Sequence, residues 1–200
     1  ENFIRDVDRL IEEGYYGLNV TVPLKEDAYK YCDNISDVAR ALKAVNTLIV
    51  NKDGVYGDNT DPVGFEKSIA NRDLNNKLCL VLGAGGSARA VVYALTHMQC
   101  EVGIYNRTKE NAVSLCSDLG VEATILTETT LREFVGSSQL VVNTTSLGQQ
   151  EGEENNLIDF DNLNSSAHVY DLIYNPSKTT FLKHAEKNGC TVQNGLEMLI

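Results

Sequence analysis

A short apolar run that leads directly into a glycine turn restricts the fold of this chain more than any other feature. Residues 78–82, Leu-Cys-Leu-Val-Leu, have the length and continuous apolar character of a buried strand. The turn that follows comprises Gly83, Ala84, Gly85, Gly86, Ser87 and Ala88. The predicted elements then alternate as helix 87–98, strand 101–105, helix 109–119 and strand 122–125. This alternation indicates βαβ units in a parallel sheet.

The spacing of the turn, G-x-G-x-x-A, favours a site for the pyrophosphate of a dinucleotide. The first glycine allows the tight bend, the second allows the backbone to approach the phosphates, and small Ala88 lets helix and strand pack closely. The helix N-terminus adds N–H groups and a positive dipole end. A glycine turn without a ligand is the alternative, but the flanking strand and helix favour binding. We therefore expect an α/β fold with a Rossmann-like doubly wound parallel sheet.

The residues after the next strand indicate which dinucleotide binds. About 20 residues beyond such a turn, a site for NAD has an Asp or Glu that binds the ribose 2′-hydroxyl. This chain has Asn106, Arg107 and Thr108 there. The guanidinium of Arg107 can pair with a 2′-phosphate, and Asn106 and Thr108 can donate hydrogen bonds to it. Arg107 alone would more simply be a solvated strand-end residue, but its spacing from the glycine turn favours NADP(H) as the cofactor.

The rest of the chain predicts a second, smaller α/β unit ahead of the glycine turn. Its expected helices are 3–11, 25–31 and 36–43, and its expected strands are 17–22, 45–50 and 55–58. Beyond the βαβ units, the expected elements are strands 139–143 and 168–172, a mostly loop stretch at 149–166 and a helix at 178–187. A polar run at 71–76 separates the two parts, so we expect a lobe at 1–73 and a domain at 74–200.

The composition argues against several classes of partner. A formal net charge of −11 and a pI of about 4.7 disfavour a nucleic-acid or anionic membrane surface. No apolar run approaches the roughly 20 residues of a membrane helix. The five cysteines form no C-x-x-C pair, and His97, His168 and His184 lack ligand spacing, so we expect no metal and no disulfide framework. A reducing, cytoplasmic location is the expectation.

Polar residues near the ends of the predicted strands in 1–73 suggest carbonyl chemistry. A ketone or alcohol substrate needs a proton donor for its reacting oxygen, and amides or hydroxyls for its other oxygens. Lys25, Asp61, Asn46 and Thr21 supply these groups. Each has a simpler explanation on its own: Asp61 precedes Pro62 and could cap a helix, and Lys25 could be a solvated surface group. The residues alone leave this site open.

A series of short strings, taken in order, resembles the signature motifs of the shikimate dehydrogenase family. They are GLNVTVPLK at 17–25, AVNT at 44–47, GDNTDPVG at 57–64, GAGGSARA at 83–90, NRT at 106–108, NTTSLG at 143–148, DLIYNPSKT at 171–179 and NGLEML at 194–199. The likeness extends from about Gly17 to the last residue. Any one string is only suggestive, but the ordered series makes coincidence implausible.

The resemblance implies reversible reduction of 3-dehydroshikimate to shikimate with NADP(H), and shikimate as a small-molecule partner. It implies a partial substrate-binding and catalytic lobe at 1–73 and an NADP-binding domain at 74–200. Lys25 and Asp61 would form the catalytic pair. The implied substrate-binding residues are Thr21, Asn46 and Tyr174, and the implied cofactor-binding residues are Gly83 to Ala88, Asn106, Arg107, Thr108, Thr145 and Gly195.

The chain departs from the family pattern at its ends and at two internal positions. It lacks the family's N-terminal strand region and its C-terminal helix, so we expect it to be the central part of a longer enzyme. Gln149 stands where the family usually has Met, and Asn111 where a second basic residue often supports the 2′-phosphate. Two alternatives stay open: a quinate/shikimate dehydrogenase, whose members often favour NAD, and a non-catalytic NADP-binding fragment.

Overall fold

The computed structural model describes residues 2–21, 23–150 and 152–200, which form two compact units, Glu1–Asp61 and Pro62–Ile200. The division lies ahead of the boundary expected after residue 73. Phe65 and Ile69 are fully buried in the same core as Val81 and Leu95, and Leu74 packs there as well. The segment up to the polar run therefore belongs by its packing to the second unit.

The first unit is a four-stranded mixed sheet with three helices. In chain order its elements are α1 (Phe3–Glu12), β1 (Gly17–Asn19), α2 (Lys25–Tyr31), β2 (Asn34–Ile35), α3 (Asp37–Leu42), β3 (Thr47–Asn51) and β4 (Gly54–Asp58). The strand order is β1-β3-β4-β2, with β1 and β4 antiparallel to β3 and β2 parallel to β4. The short strand β2 was not expected from the sequence.

Local chemistry explains where the elements of the first unit begin and end. Ser36 caps α3 by accepting the Ala39 N–H at 3.0 Å, as its residue type predicts. The β3–β4 hairpin turns at Gly54, whose φ of +112° disfavours a side chain. The strand expected at 17–22 ends at Asn19, and Val22 lies outside the described residues.

The second unit is a six-stranded parallel sheet. Its elements are α4 (Asp61–Ser68, which begins at the last residue of the first unit), β5 (Leu78–Leu82), α5 (Gly86–His97), β6 (Glu101–Tyr105), α6 (Lys109–Leu119), β7 (Thr124–Ile125), α7 (Glu128–Ser137), β8 (Leu140–Asn143), a 3-10 turn (Phe160–Asn162), β9 (His168–Asp171), α8 (Thr180–Lys187), β10 (Thr191–Asn194) and a second 3-10 turn (Gly195–Leu199). The strand order is β10-β9-β8-β5-β6-β7, and every neighbouring pair is parallel. The expected doubly wound fold is confirmed.

Both faces of this sheet are covered, which explains the continuous apolar character of β5. Cys79 and Val81 face one apolar core, whereas Leu80 and Leu82 face the other. The strand order reverses on either side of β5, and ligands of such sheets bind beyond the carboxyl ends of the strands at this switch point. The glycine turn follows β5 at this position.

Two elements of the second unit were missed from the sequence, α7 and β10. Only Leu131 and Val135 of α7 are buried, so its apolar stripe is thin, and its start depends on a capping box between Thr127 and Thr130. The edge strand β10 reads Thr-Val-Gln-Asn and has no fully buried residue. Within the described ranges, no helix combines the length and apolar content needed to cross a lipid bilayer.

Candidate active site

Lys25 and Asp61 form a close ion pair in the first unit. Lys25 is the first residue of α2 and Asp61 the first residue of α4, and Nζ of Lys25 lies 2.6 Å from Oδ2 of Asp61. Only 21% of the lysine side chain and 17% of the aspartate side chain are exposed, so the pair is largely shielded from water. The lysine ammonium has three N–H groups, so it can donate to a substrate oxygen while it remains bound to Asp61.

Asn46 engages the second oxygen of Asp61. Its Nδ2 donates to Oδ1 of Asp61 at 2.8 Å, and its Oδ1 accepts the backbone N–H of Thr60 at 3.1 Å and the hydroxyl of Thr47 at 2.8 Å. These bonds fix the Asn46 amide with its nitrogen toward the carboxylate. The structure therefore brings together three of the four polar residues predicted for the first unit.

Thr21 lies ahead of α2 and is exposed. Its carbonyl accepts the N–H of Leu24 at 2.9 Å, which closes the turn that leads into Lys25. This position is open to a ligand, and the role of Thr21 stays a prediction.

A buried asparagine that the sequence reasoning overlooked supports the ion pair. Asn59 is 3% exposed; its Oδ1 accepts the backbone N–H of Asp61 at 3.0 Å, and its Nδ2 donates to the carbonyl of Ala44 at 3.0 Å. Asn59 thus caps Asp61, the last residue of the first unit, and joins it to the segment before β3. Its place within the GDNTDPVG string was the available signal.

In the second unit, the glycine turn has the geometry that a pyrophosphate site needs. Gly83 has a φ of +109°, and a Cβ there would lie 2.6 Å from Oγ1 of Thr144. A Cβ at Gly85 or Gly86 would meet nothing within 4 Å, so open space lies beside the N-terminus of α5. The N-cap Gly85 makes no side-chain cap bond, and Ala88 is fully buried against the sheet. These residues fit a bound dinucleotide.

The Asn-Arg-Thr segment follows β6, the strand next to β5. Nδ2 of Asn106 donates to the carbonyl of Thr108 at 2.7 Å and shapes the turn, whereas Arg107 is exposed. Thr108 is the N-cap of α6 and makes no side-chain cap bond. Because neighbouring parallel strands end at the same edge of a sheet, these residues lie at the same edge as the glycine turn.

The ends of the other strands carry the remaining predicted residues. Thr145 follows β8, and its N–H and hydroxyl donate to Oδ1 of Asn143 at 3.1 and 2.7 Å. Tyr174 follows β9 and is 52% exposed. Gly195 follows β10, and a Cβ there would lie 2.0 Å from the carbonyl oxygen of Leu172, so a larger residue would not fit. All three residues lie beyond the carboxyl edge of the sheet.

Three buried polar residues beneath this edge were not predicted as functional. Asn143 and Asp171 end β8 and β9 and are fully buried, and Thr179, the N-cap of α8, is 1% exposed. Burial raises the pKa of the Asp171 carboxyl, while hydrogen bonds from Thr179, Ile173 and Asn143 act in the opposite direction. A polar residue that ends an apolar strand was the signal that could have identified the first two.

No group of three or more metal-ligating side chains comes together in the part of the chain that the structure describes. His168 of β9 is buried, and its hydrogen-bond partners are uncharged polar groups. Its ring nitrogens lie 2.9 Å from Oγ1 of Thr191 and from Oε1 of Gln193.

Two family models match the sequence. Residues 1–48 match the shikimate dehydrogenase substrate binding domain, and residues 65–156 match the shikimate / quinate 5-dehydrogenase family. A shikimate dehydrogenase (NADP(+)) of Caldicellulosiruptor bescii is 40% identical over 194 residues, which cover 94% of this chain and 67% of that protein.

Solved structures of the same kind are similar to the chain. A shikimate 5-dehydrogenase of Thermus thermophilus, in complex with NADP(H) and shikimate, has a TM-score of 0.85 at 32% identity. The match covers 98% of this chain and 73% of the Thermus chain. A quinate dehydrogenase of Corynebacterium glutamicum, in complex with NAD, has a TM-score of 0.86 at 28% identity, with coverages of 100% and 73%.

Proposed function

The chain belongs to the shikimate dehydrogenase family, and from this premise we propose that it catalyses the reversible NADP-dependent interconversion of 3-dehydroshikimate and shikimate. The observation that carries the proposal is the shielded Lys25–Asp61 pair, with 2.6 Å between Nζ and Oδ2. A lysine held in this way can give a proton to a carbonyl oxygen or receive one from an alcohol, which this reaction requires.

When bound, NADPH supplies the hydride for the carbonyl carbon of 3-dehydroshikimate. Lys25 donates a proton to the oxygen that becomes the new hydroxyl, and in the reverse direction it takes the proton back. Asp61 holds the ammonium in place and stabilises its charge, while Asn46 fixes the carboxylate. We assign Thr21, Asn46 and Tyr174 to the hydroxyl groups of the substrate, since they supply exposed or semi-exposed hydrogen-bonding groups.

The cofactor assignment rests on the carboxyl edge of the second unit. The glycine turn and the N-terminus of α5 take the pyrophosphate, and Asn106, Arg107 and Thr108 take the 2′-phosphate. We assign Thr145 and Gly195 to the nicotinamide half of the cofactor. In domain terms, the first unit is the substrate-binding and catalytic part, and the second is the NADP-binding part.

Quinate oxidation with NAD is the second candidate function. The match to a shikimate / quinate family model and the likeness to a quinate dehydrogenase in complex with NAD favour it. The absence of an acidic residue at 106–108 weighs against it, because a carboxylate at the end of β6 is what binds the 2′-hydroxyl of NAD. We propose a cytoplasmic location, which the five free cysteines support.

The test is a comparison of steady-state oxidation rates for shikimate and quinate, each with NADP⁺ and with NAD⁺, followed by the absorbance of the reduced cofactor. We expect the highest kcat/KM for shikimate with NADP⁺. A higher value for quinate with NAD⁺ would favour the second candidate. Tight NADPH binding without turnover of either substrate would identify a non-catalytic NADP-binding chain.

A further inference from the structure

Three parallel strands of the second unit end in register on polar residues. Asn143 of β8 pairs with Asp171 of β9, which pairs with Asn194 of β10. The segments that leave these strand ends carry Thr145, Tyr174 and Gly195, which are assigned above to the cofactor and the substrate. Whatever fixes these strand ends also fixes the segments that meet the ligands.

The Asp171 carboxylate lies at the centre of this arrangement. Its Oδ1 accepts Nδ2 of Asn143 at 3.0 Å and the backbone N–H of Ile173 at 3.1 Å, and its Oδ2 accepts the hydroxyl of Thr179 at 2.6 Å. A fully buried carboxylate is costly unless hydrogen bonds satisfy both oxygens. All three partners are donors, so the surroundings of Asp171 are built for an acceptor.

The hydrogen bond from Asn143 to Asp171 forms one arm of this network, and it leads to Thr145 in the segment after β8. The amide of Asn143 donates to Asp171 with its nitrogen, so its oxygen is turned toward Thr145. That oxygen accepts both the N–H and the hydroxyl of Thr145. Rotation of the Asn143 amide would break the bonds at both ends, so Asp171 determines the orientation of Thr145 through a single side chain.

The hydrogen bonds from Ile173 and Thr179 to Asp171 form the other arm, and they hold the segment that carries Tyr174. Asp171 holds this segment at both ends, through the N–H of Ile173 and through the hydroxyl of Thr179. Thr179 also accepts the N–H of Leu182 at 3.3 Å and so joins the segment to the start of α8. Tyr174 lies between two residues that are bound to the same carboxylate.

We propose that Asp171 is a positioning residue for the reaction, which orients Thr145 toward the cofactor through Asn143 and Tyr174 toward the substrate through Thr179. The inference rests on the proposed function, because it concerns the residues assigned there to NADP(H) and shikimate. Asp171 itself touches neither ligand in this account. Its loss affects both binding segments together, whereas the loss of one arm affects one segment.

The experiment compares Thr179→Val, which removes the hydroxyl at similar shape, with Thr179→Ser, which keeps it. We expect Thr179→Val to raise KM for shikimate by about threefold to tenfold, the usual effect of one hydrogen bond, with KM for NADP⁺ unchanged. Thr179→Ser should restore the wild-type KM. Asp171→Ala should raise KM for both ligands, because it removes both carboxylate oxygens and so leaves no acceptor for Asn143, Ile173 or Thr179.

A purely structural role predicts a different result. If Thr179 acts only as the cap of α8, Thr179→Val lowers Tm and leaves both KM values unchanged, and this outcome would overturn the proposal. An equal rise in both KM values for Thr179→Val would also contradict it. If Asp171→Ala does not fold, the comparison of Thr179→Val with Thr179→Ser decides the question.

Amide hydrogen exchange separates a failure of this inference from a failure of the proposed function. Absence of shikimate oxidation by the wild-type chain would count against the function alone. The inference still predicts faster exchange at 172–178 but not at 144–148 in Thr179→Val, and faster exchange at both segments in Asp171→Ala. Unchanged exchange at 172–178 in Thr179→Val would refute it whatever the substrate.

Discussion

At the scale of single residues, Asp61 shows how one side chain organises the pair that we propose as catalytic. One carboxylate oxygen binds the Lys25 ammonium and the other binds the Asn46 amide. Asn46 is oriented in turn by the backbone of Thr60, so the position of Nζ depends on the turn after β4. The residue types of this site could be predicted from the sequence, because each lies in a recognisable string near a strand end.

The supporting residues could not be predicted in the same way. Asn59 acts through a bond to the backbone of Asp61, and Asp171 acts through partners that are near it only after β8 and β9 pair. A pattern of residue types along the chain contains neither the strand register nor the direction of a side chain. Such positions emerge only from the folded sheet.

Arg107 offers a test of cofactor choice at this scale. Arg107→Gln removes the charge that we assign to the 2′-phosphate, and a charged hydrogen bond contributes about 1.5 to 3 kcal/mol. We expect KM for NADP⁺ to rise roughly 10- to 100-fold, with KM for NAD⁺ changed little. Steady-state kinetics with both cofactors measure this.

Arg132→Gln is a suitable control, since Arg132 is an exposed arginine of α7 in the same unit that pairs with Asp159. It should leave both KM values unaltered. Equal effects of Arg107→Gln on NADP⁺ and NAD⁺ would remove the basis of the assignment.

At the scale of elements, the sequence predicted those with strong, uniform patterns. The strand β5 and the helices α2 and α6 were predicted at their observed bounds; β5 is a continuous apolar run, and Gly120 ends α6 in the left-handed conformation. The helix α7 and the edge strand β10 were missed, since a thin apolar stripe and a polar edge leave weak patterns. Their formation depends on packing against the finished sheet.

His168 of β9, which is hydrogen-bonded to residues of β10, makes the free energy of unfolding depend on pH. Burial, helped by the positive charge of Arg72, lowers the pKa of His168 to about 4, although the hydrogen bonds that its ring makes with Gln193 and Thr191 act in the opposite direction. The unfolded chain takes up this proton near pH 6.5, whereas the folded chain does so only near pH 4. His168 therefore contributes stability that is complete above pH 6.5 and is lost as the pH falls toward 4.

Urea unfolding of the wild type and of His168→Gln between pH 7.5 and pH 4 measures this contribution. The difference in unfolding free energy should shrink by roughly 3 kcal/mol over that range. Carboxylates titrate in both proteins and cancel in the difference. A constant difference would mean that His168 titrates normally in the folded chain.

At the scale of the whole molecule, the chain forms two compact units. The Lys25–Asp61 pair lies in the first and the glycine turn in the second, and their roles in proton transfer and dinucleotide binding stay the proposals made above. The compact units divide after Asp61, whereas the sequence predicts a domain boundary after residue 73, because the run at 71–76 is polar although Leu74 and α4 pack in a core of the second unit. Local polarity did not reveal that packing.

Cofactor binding should stabilise the chain more when the cofactor carries a 2′-phosphate. A ligand present at about 100 times its Kd adds roughly 2.7 kcal/mol, which corresponds to a rise in Tm of about 5 to 10 °C for a domain of this size. We expect NADPH to produce this rise and NADH at the same concentration a clearly smaller one. Thermal unfolding followed by circular dichroism tests it, and identical shifts with the two cofactors would contradict the NADP assignment.

The central claim, that Lys25 transfers the proton in shikimate oxidation, is tested most directly by kcat of Lys25→Ala with shikimate and NADP⁺. The control is Lys30→Ala, which removes an exposed lysine of the same helix paired only with Asp27 among the described ion pairs. We predict that Lys25→Ala lowers kcat by about 10²- to 10⁴-fold with little change in KM, and that Lys30→Ala has wild-type kinetics. An unchanged kcat for Lys25→Ala would contradict the account.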